Sequence, residues 1–192
     1  MATDRVVGAG STQGNARGSG YDRADDDWYR EPSWVVDALL KVETFDDVVW
    51  DPACGSGTIP KAVIASGGKA IGSDIADRGY GRPNSDFFAF RGPCSRHIIS
   101  NPPYDVLQKW VQHSLALTSG KVAVIARIAF LNGQARRPWF LSTPLAQVWV
   151  CSRRPSMPPG ASDAPAKGGS VDYAWFVWDH AHKGVPRLGW LP

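Results

Sequence analysis

The chain has 192 residues, of which 43% are hydrophobic and 20% charged, a composition typical of a globular protein rather than a disordered or membrane-embedded one. Its net charge of +3 only mildly favours a polyanionic partner, and its three widely spaced cysteines disfavour a disulfide scaffold or a zinc site. No apolar run is long enough to span a membrane, and the polar start of the chain lacks a signal-peptide core. We therefore expect a cytoplasmic protein without a bound metal.

The first elements in chain order are a polar arm and a helix. Residues 1–20 contain glycine, serine and asparagine without apolar periodicity, which predicts a flexible N-terminal arm. Residues 33–42 repeat apolar side chains at helical spacing, which predicts an amphipathic helix. We expect residues 21–192 to form one domain.

A buried strand followed by a glycine turn comes next. Residues 48–51 are apolar up to Asp51, the turn Pro-Ala-Cys-Gly-Ser-Gly follows, and residues 59–65 predict a helix. Glycines let the backbone approach a ligand closely at the carboxyl end of a strand, although the spacing is neither that of a dinucleotide-binding turn nor that of a P-loop. A second short strand, residues 70–74, ends in Asp74, where an acid can accept two hydrogen bonds from a ribose.

The motif Asn101-Pro102-Pro103-Tyr104 follows the apolar run 97–100. Two prolines leave the turn little freedom, so the Asn101 side-chain oxygen and the Pro102 carbonyl can accept hydrogen bonds from the two hydrogens of an aromatic amine. As these bonds strengthen, the nitrogen becomes more tetrahedral and its lone pair turns toward an electrophile. Tyr104 would supply a face on which the ring stacks. The motif predicts a catalytic site for a flat, amino-bearing ring such as adenine.

The rest of the chain alternates helix and strand patterns. Residues 106–115 predict a second amphipathic helix, and strands are predicted over residues 121–126, 147–151 and 173–178. Strands that alternate with helices indicate a parallel α/β sheet.

Two basic segments are candidates for contact with nucleic acid. Arg136, Arg137 and Trp139 lie in a predicted loop after the strand 121–126, where Trp139 has equal claims to a nucleic-acid contact and to ordinary packing. Arg153 and Arg154 begin a long loop over residues 155–170 that is either a basic flap over the substrate or a solvated connection.

Taken together, the motifs resemble those of S-adenosylmethionine-dependent amino-methyltransferases, and most of all those of bacterial and phage DNA adenine-N6 methyltransferases. In that family D-P-x-x-G-S-G is the first cofactor motif and N-P-P-Y the catalytic motif, and Tyr29-Arg30-Glu31-Pro32 resembles the upstream Y-x-T-P motif, with Glu31 replacing threonine. The resemblance is specific over residues 29–104. The cofactor-binding residues that it implies are Tyr29, Glu31, Pro32, Asp51, Pro52, Ala53, Cys54, Gly55, Gly57, Asp74, Ile75, Asp86, Phe87 and Asn101.

The resemblance also implies a fold and a reaction. The fold is a Rossmann-like class I methyltransferase domain with a mostly parallel seven-stranded sheet, helices on both faces and an antiparallel last strand. The reaction transfers the methyl group of S-adenosylmethionine to the N6 amine of adenine in DNA and leaves S-adenosylhomocysteine. We expect no separate target-recognition domain, so specificity would be low, come from short loops, or come from a homodimer or another partner.

Other acceptors and a different class of function stay open at this point. N-P-P-Y also occurs in enzymes that methylate RNA adenine, the guanine N2 amine, cytosine N4 or a protein glutamine. A non-catalytic module that binds cofactor or nucleic acid is the alternative from another class.

Overall fold

The computed structural model describes residues 28–161 and 169–192. The predicted N-terminal arm, residues 1–20, lies outside the described residues, as does the part of the predicted flap at residues 162–168. Among the described residues, the helices are too short or too polar to cross a membrane.

A seven-stranded sheet forms the centre of the molecule. Its strands are β1 (Val49–Asp51), β2 (Ala70–Gly72), β3 (His97–Ser100), β4 (Lys121–Arg127), β5 (Leu145–Val150), β6 (Tyr173–Asp179) and β7 (Arg187–Trp190). The spatial order is β2-β1-β3-β4-β6-β5-β7. β6 is antiparallel to both of its neighbours, whereas every other pairing in the sheet is parallel, which confirms the predicted mostly parallel sheet.

Helices cover both faces of the sheet, because successive side chains of a strand point to opposite faces and here both sets are apolar. The helices are α1 (Ser33–Val42), α2 (Thr58–Ala65), α3 (Leu107–Leu117) and α4 (Arg137–Ser142). α1 and α2 pack with Ala123 and Ile125 of β4 on one face, and α3 and α4 pack with Val122 and Val124 on the other. The predicted bounds of α1 are those observed, and α2 begins one residue before its prediction.

Two elements correct the sequence interpretation. The segment predicted as a loop after β4 contains α4, which buries Trp139 against the rings of Phe140 and Trp178. The antiparallel strand expected to be last is followed by β7, which pairs in parallel with β5 at the edge of the sheet. Both elements are short, at six and four residues, so neither repeats its pattern more than twice in the sequence.

A tryptophan of β6 ties the sheet to α1. Trp175 is fully buried, and its indole Nε1 donates a 3.0 Å hydrogen bond to the backbone oxygen of Val35. We expect Trp175→Phe to lower the free energy of unfolding by about 1–3 kcal/mol, because it removes this bond and leaves a small void. Chemical denaturation measures the loss. Trp190→Phe, at a side chain that is 63% exposed, is the control, and equal stability of both variants would contradict the assignment.

Candidate active site

Three polar side chains meet at one edge of the sheet. Asp51 is the last residue of β1, Asp74 lies two residues beyond β2, and Asn101 directly follows β3. Because these three strands are parallel neighbours, their carboxyl ends lie side by side, where open α/β sheets bind ligands.

The glycine turn between β1 and α2 needs glycine at two positions. Gly55 and Gly57 have φ values of +51° and +84°, in the left-handed region. A Cβ atom on Gly55 would lie 2.5 Å from Nε1 of Trp28, and one on Gly57 would lie 2.4 Å from Cγ of Tyr80. The turn is therefore packed closely against two aromatic rings of the protein itself.

Asp74 joins this turn to β2. Its Oδ2 accepts a 2.9 Å hydrogen bond from the backbone N–H of Gly55, and its Oδ1 accepts from the N–H of Ala76 at 3.0 Å. The Arg78 guanidinium forms an ion pair with Oδ1 at 3.1 Å and lies 4.1 Å from the centre of the Trp28 ring. Each carboxylate oxygen has two lone pairs, so Oδ2 keeps the capacity to accept a hydrogen bond from a ligand hydroxyl.

Asp51 lies beneath the turn and is almost fully buried. Its Oδ1 accepts hydrogen bonds from the Ser100 hydroxyl at 2.6 Å and from the backbone N–H of Ala53 at 3.2 Å. Burial raises the pKa of Asp51 well above its usual range, and the charges of Glu31 and Asp74 raise it further. These mutually unfavourable carboxylates make the site complementary to a positively charged group.

The Asn101 side chain is held in one orientation by its neighbours. Its Nδ2 donates to the backbone oxygen of Tyr29 and to Oε2 of Glu31, both at 2.9 Å, and its Oδ1 accepts from the Tyr104 hydroxyl at 2.9 Å. Turning the amide over would place its oxygen against two acceptors, so the network assigns the orientation. Oδ1 retains a second lone pair.

Glu31 is buried at this contact, with 9% of its surface exposed. Burial raises the pKa of Glu31 to about 7, and hydrogen bonds from the side chains of Asn101 and Thr58 partly offset the shift. The carboxyl group is therefore balanced between its neutral and ionised forms near neutral pH.

Tyr104 turns its hydroxyl toward Asn101 rather than toward solvent. The hydroxyl also lies 3.6 Å from Sδ of Met157, and the ring is tilted against Tyr173 with a centroid distance of 6.3 Å. Burial raises the pKa of Tyr104 well above its ordinary value, so the phenol stays protonated and donates. The predicted stacking ring is thus held by its own hydrogen bond at the site.

Two neighbouring cavities contain most of the predicted cofactor residues. The larger is an open cleft whose total free space, including the part open to solvent, is about 620 Å³. Its predicted cofactor residues are Pro52, Ala53, Asp74, Ile75, Asp86, Phe87 and Asn101. The smaller cavity has a free space of about 210 Å³ on the same measure. The predicted cofactor residues that line it are Tyr29, Glu31, Ala53, Cys54, Gly55 and Asn101. Pro32, Asp51 and Gly57 line neither cavity.

Trp28 lines both cavities and was missed by the sequence interpretation, as was Arg78 in the larger one. Each stood beside a predicted residue: Trp28 precedes Tyr29, and Arg78 follows Asp74 by four positions. The larger cavity is completed by aromatic and aliphatic side chains on the α3 side. They are Phe88, Val106 and Trp110.

The predicted nucleic-acid residues differ in what they contact. Arg136 bonds the backbone oxygens of Phe130 and Asn132 and lies over the Phe130 ring, so it stabilises the turn before α4. Arg137, Arg153 and Arg154 are exposed, and Arg154 forms a 2.6 Å ion pair with Asp172. Because β4 and β5 run in the same direction as β1–β3, the segments that follow them lie toward the same edge as the site. Of the two interpretations of Trp139, nucleic-acid contact and ordinary packing, the structure favours packing, since the residue is only 8% exposed.

Cys54 in the glycine turn is a poor nucleophile. Burial raises the pKa of its thiol to about 12, and the nearby charges of Asp51 and Asp74 add to the shift. Alkylation requires the thiolate, so we expect iodoacetamide at about pH 8 to leave Cys54 unlabelled in the folded protein. Cys94, which is partly exposed, should react first, and mass spectrometry of tryptic peptides measures the order. Faster labelling of Cys54 would contradict this geometry.

Comparison with known proteins gives a fold but no sequence relatives. No protein-family model and no curated sequence matches the chain. A structure from Pyrococcus horikoshii, described as an RNA methyltransferase, has a TM-score of 0.62 at 14% identity over 85% of this chain and 91% of its own. A predicted O-methyltransferase from Agrobacterium tumefaciens has a TM-score of 0.55 at 14% identity, over 82% of this chain and 84% of its own. A SAM-dependent methyltransferase from Archaeoglobus fulgidus has a TM-score of 0.51 at 11% identity, over 77% of this chain and 94% of its own.

These similarities show that the chain has the Rossmann-like class I methyltransferase fold. The order of the strands, with one antiparallel strand between two parallel ones, agrees with that fold. The fold by itself does not specify the acceptor, since the similar structures are described with different ones.

Proposed function

We propose that this protein transfers the methyl group of S-adenosylmethionine to the N6 amine of adenine in DNA. The observation that carries the proposal is the Asn101 amide, which three hydrogen bonds hold in a fixed orientation where the two cavities meet. A fixed acceptor at the edge of a ligand-binding cleft is what orientation of an amine requires.

The residues present fit the proposed cofactor. A sulfonium cation would find the carboxyl group of Glu31 at the smaller cavity, with Asp51 buried beneath the glycine turn, and a ribose would find the free acceptor capacity of Asp74 in the larger cavity. An adenine ring would find the apolar part of the larger cavity beside Phe87 and Ile75. When bound, the cofactor supplies the electrophilic methyl group.

The chain's own residues would orient the acceptor. Oδ1 of Asn101 and the backbone oxygen of Pro102 accept hydrogen bonds from the two amine hydrogens of the target base, which aligns its lone pair with the methyl group. Asn101 does not ionise at working pH, so its role is positioning and charge stabilisation. Tyr104 would provide a ring face for the base, after the base has left the stack at a cost of a few kcal/mol.

DNA is the proposed acceptor because the combination of all three motifs most resembles DNA adenine-N6 enzymes. The exposed Arg137, Arg153 and Arg154 on the side of the site are suited to phosphate contacts. The second candidate is an RNA methyltransferase, which the likeness to the Pyrococcus structure brings forward. N-P-P-Y chemistry requires a planar amine and does not depend on the sugar.

A tritium-transfer assay separates these acceptors. Purified protein and methyl-labelled S-adenosylmethionine are incubated with unmethylated duplex DNA, single-stranded DNA, RNA or a protein fraction. We expect label in DNA, and nuclease digestion with chromatography should identify N6-methyladenine. Label confined to RNA would support the second candidate, and label in no fraction, with cofactor bound, would support a non-catalytic binding module.

A further inference from the structure

Glu31 marks a departure of this chain from the motif it resembles, where threonine is usual, and it contacts the proposed catalytic amide directly. Its Oε2 lies 2.9 Å from Nδ2 of Asn101, although the two residues are 70 positions apart in the sequence. The carboxyl group is buried, and it lies next to the smaller cavity. A threonine hydroxyl is shorter and uncharged, so this contact belongs to the glutamate.

The protonation state of Glu31 determines how strongly the observed orientation of the Asn101 amide is held, because Glu31 is one of the two acceptors that Nδ2 contacts, beside the backbone oxygen of Tyr29. An ionised carboxylate only accepts hydrogen bonds, so it can face Nδ2 but not the amide oxygen. A protonated carboxyl group also donates, so it can face either end of the amide. A charge-assisted bond is also stronger than a neutral one. The ionised form therefore strengthens the orientation that the Tyr29 carbonyl also favours, in which Oδ1 keeps a lone pair for a ligand, whereas the protonated form weakens this restraint.

We propose that Glu31 is a positioning residue, whose ionised carboxylate fixes the Asn101 amide for methyl transfer and makes the reaction dependent on pH. This inference rests on the proposed methyltransferase function for its kinetic part only. The link between Glu31 and Asn101 concerns the protein alone and can be measured without a substrate.

The groups around Glu31 influence the pH range. The side chains of Asn101 and Thr58 form hydrogen bonds with it, and the titratable groups close enough to interact with its charge are Asp51 at the end of β1, Cys54 in the turn and Tyr104 after β3. Burial raises the pKa of Glu31 from its ordinary value of 4.5 to about 7, so the folded protein holds a proton that the unfolded chain releases. The stability that this proton contributes is fully present below pH 4.5 and is lost as the pH rises through about 7. The methyl-transfer rate should change in the opposite direction and increase as the pH rises through about 7.

The first test is a titration of the folded protein by NMR, with the Asn101 side-chain amide assigned by its absence in Asn101→Ala. We expect the two Nδ2 proton signals to shift with a midpoint near pH 7 in the wild type and to stay constant in Glu31→Gln. Constant signals in the wild type would overturn the inference. So would a shift that persists in Glu31→Gln, because Asp51 would then be its source. The wild-type titration is informative even if the variant does not fold.

The second test is the single-turnover methyl-transfer rate as a function of pH. Glutamine presents both a donor and an acceptor, so Glu31→Gln mimics the protonated residue. We expect its rate to be independent of pH and about tenfold below the wild-type rate above neutral pH. Asp37→Asn, at an exposed position of α1, is the control and should follow the wild-type profile. A pH-dependent rate in Glu31→Gln would overturn the inference, whereas an NMR titration without any methyl transfer would overturn only the proposed function.

Discussion

Asn101→Ala is expected to reduce the single-turnover rate of methyl transfer by about 10²–10³ and to leave the dissociation constant of S-adenosylmethionine near its wild-type value. The lost acceptor strengthens its bond to the amine only as the nitrogen becomes tetrahedral, so its removal affects the transition state more than the bound cofactor. Rapid-quench kinetics on an adenine-containing oligonucleotide and cofactor titration by calorimetry measure the two quantities.

The same substitution also leaves partners behind in the protein. The Tyr104 hydroxyl and Oε2 of Glu31 each lose the hydrogen bond to Asn101, at a cost of about 1–3 kcal/mol in stability. The assay must therefore run well below the melting temperature of the variant. Gln112→Ala, at an exposed amide on α3, is the matched control. If folded Asn101→Ala methylates as fast as the wild type, the N-P-P-Y turn is not the catalytic centre.

Asp74→Ala is expected to weaken S-adenosylmethionine binding by about 10–100-fold, since hydrogen bonds to a charged group contribute roughly 1.5–3 kcal/mol. The carboxylate would hold the ribose, and it already holds the backbone of Gly55 and Ala76 in the turn. Its removal therefore disturbs a ligand contact and the shape of the cavity together. Arg78 would also lose its ion-pair partner.

A nearby acid provides the control for this effect. Asp77 is exposed and accepts a hydrogen bond from the backbone N–H of Gly79. Asp77→Ala should bind the cofactor like the wild type in isothermal titration. An unchanged dissociation constant in a folded Asp74→Ala protein would remove Asp74 from the cofactor site and weaken the proposed function with it.

The sequence predicted the elements that carry a full local pattern. α1 repeats its apolar residues over several turns, and its bounds are those expected. β4 and β6 are continuous apolar runs, and their strand character was predicted for the same reason. β7 was missed because it has only four residues and its apolar side chains, Leu188 and Trp190, are 56% and 63% exposed, so no buried face distinguishes it from a loop. For α4, Pro138 in the first turn was a signal of a helix start that could have been used.

The site was predicted in its composition but not in its contacts. Asp51, Asp74 and Asn101 could be placed because each follows a strand, and parallel strands bring their ends together. The bonds of Asn101 to Tyr29 and Glu31 join residues 72 and 70 positions apart, which no local pattern encodes. The same holds for the position of Trp28 against Gly55, which depends on how the chain before α1 crosses the turn.

The place of β6 in the sheet also bears on how the protein is made. β4 and β5 are synthesised before β6, yet each must wait for it, because β6 lies between them and pairs with both. Until residues 173–179 leave the ribosome, both strands have an open, apolar edge, the kind of surface that pairs with other chains. A chain interrupted just before Tyr173 would lack an interior strand of its sheet, β6, as well as the edge strand β7. Completion of the fold thus depends on pairings over about fifty residues, which are slow to form, and the unfinished chain is exposed to aggregation for that time.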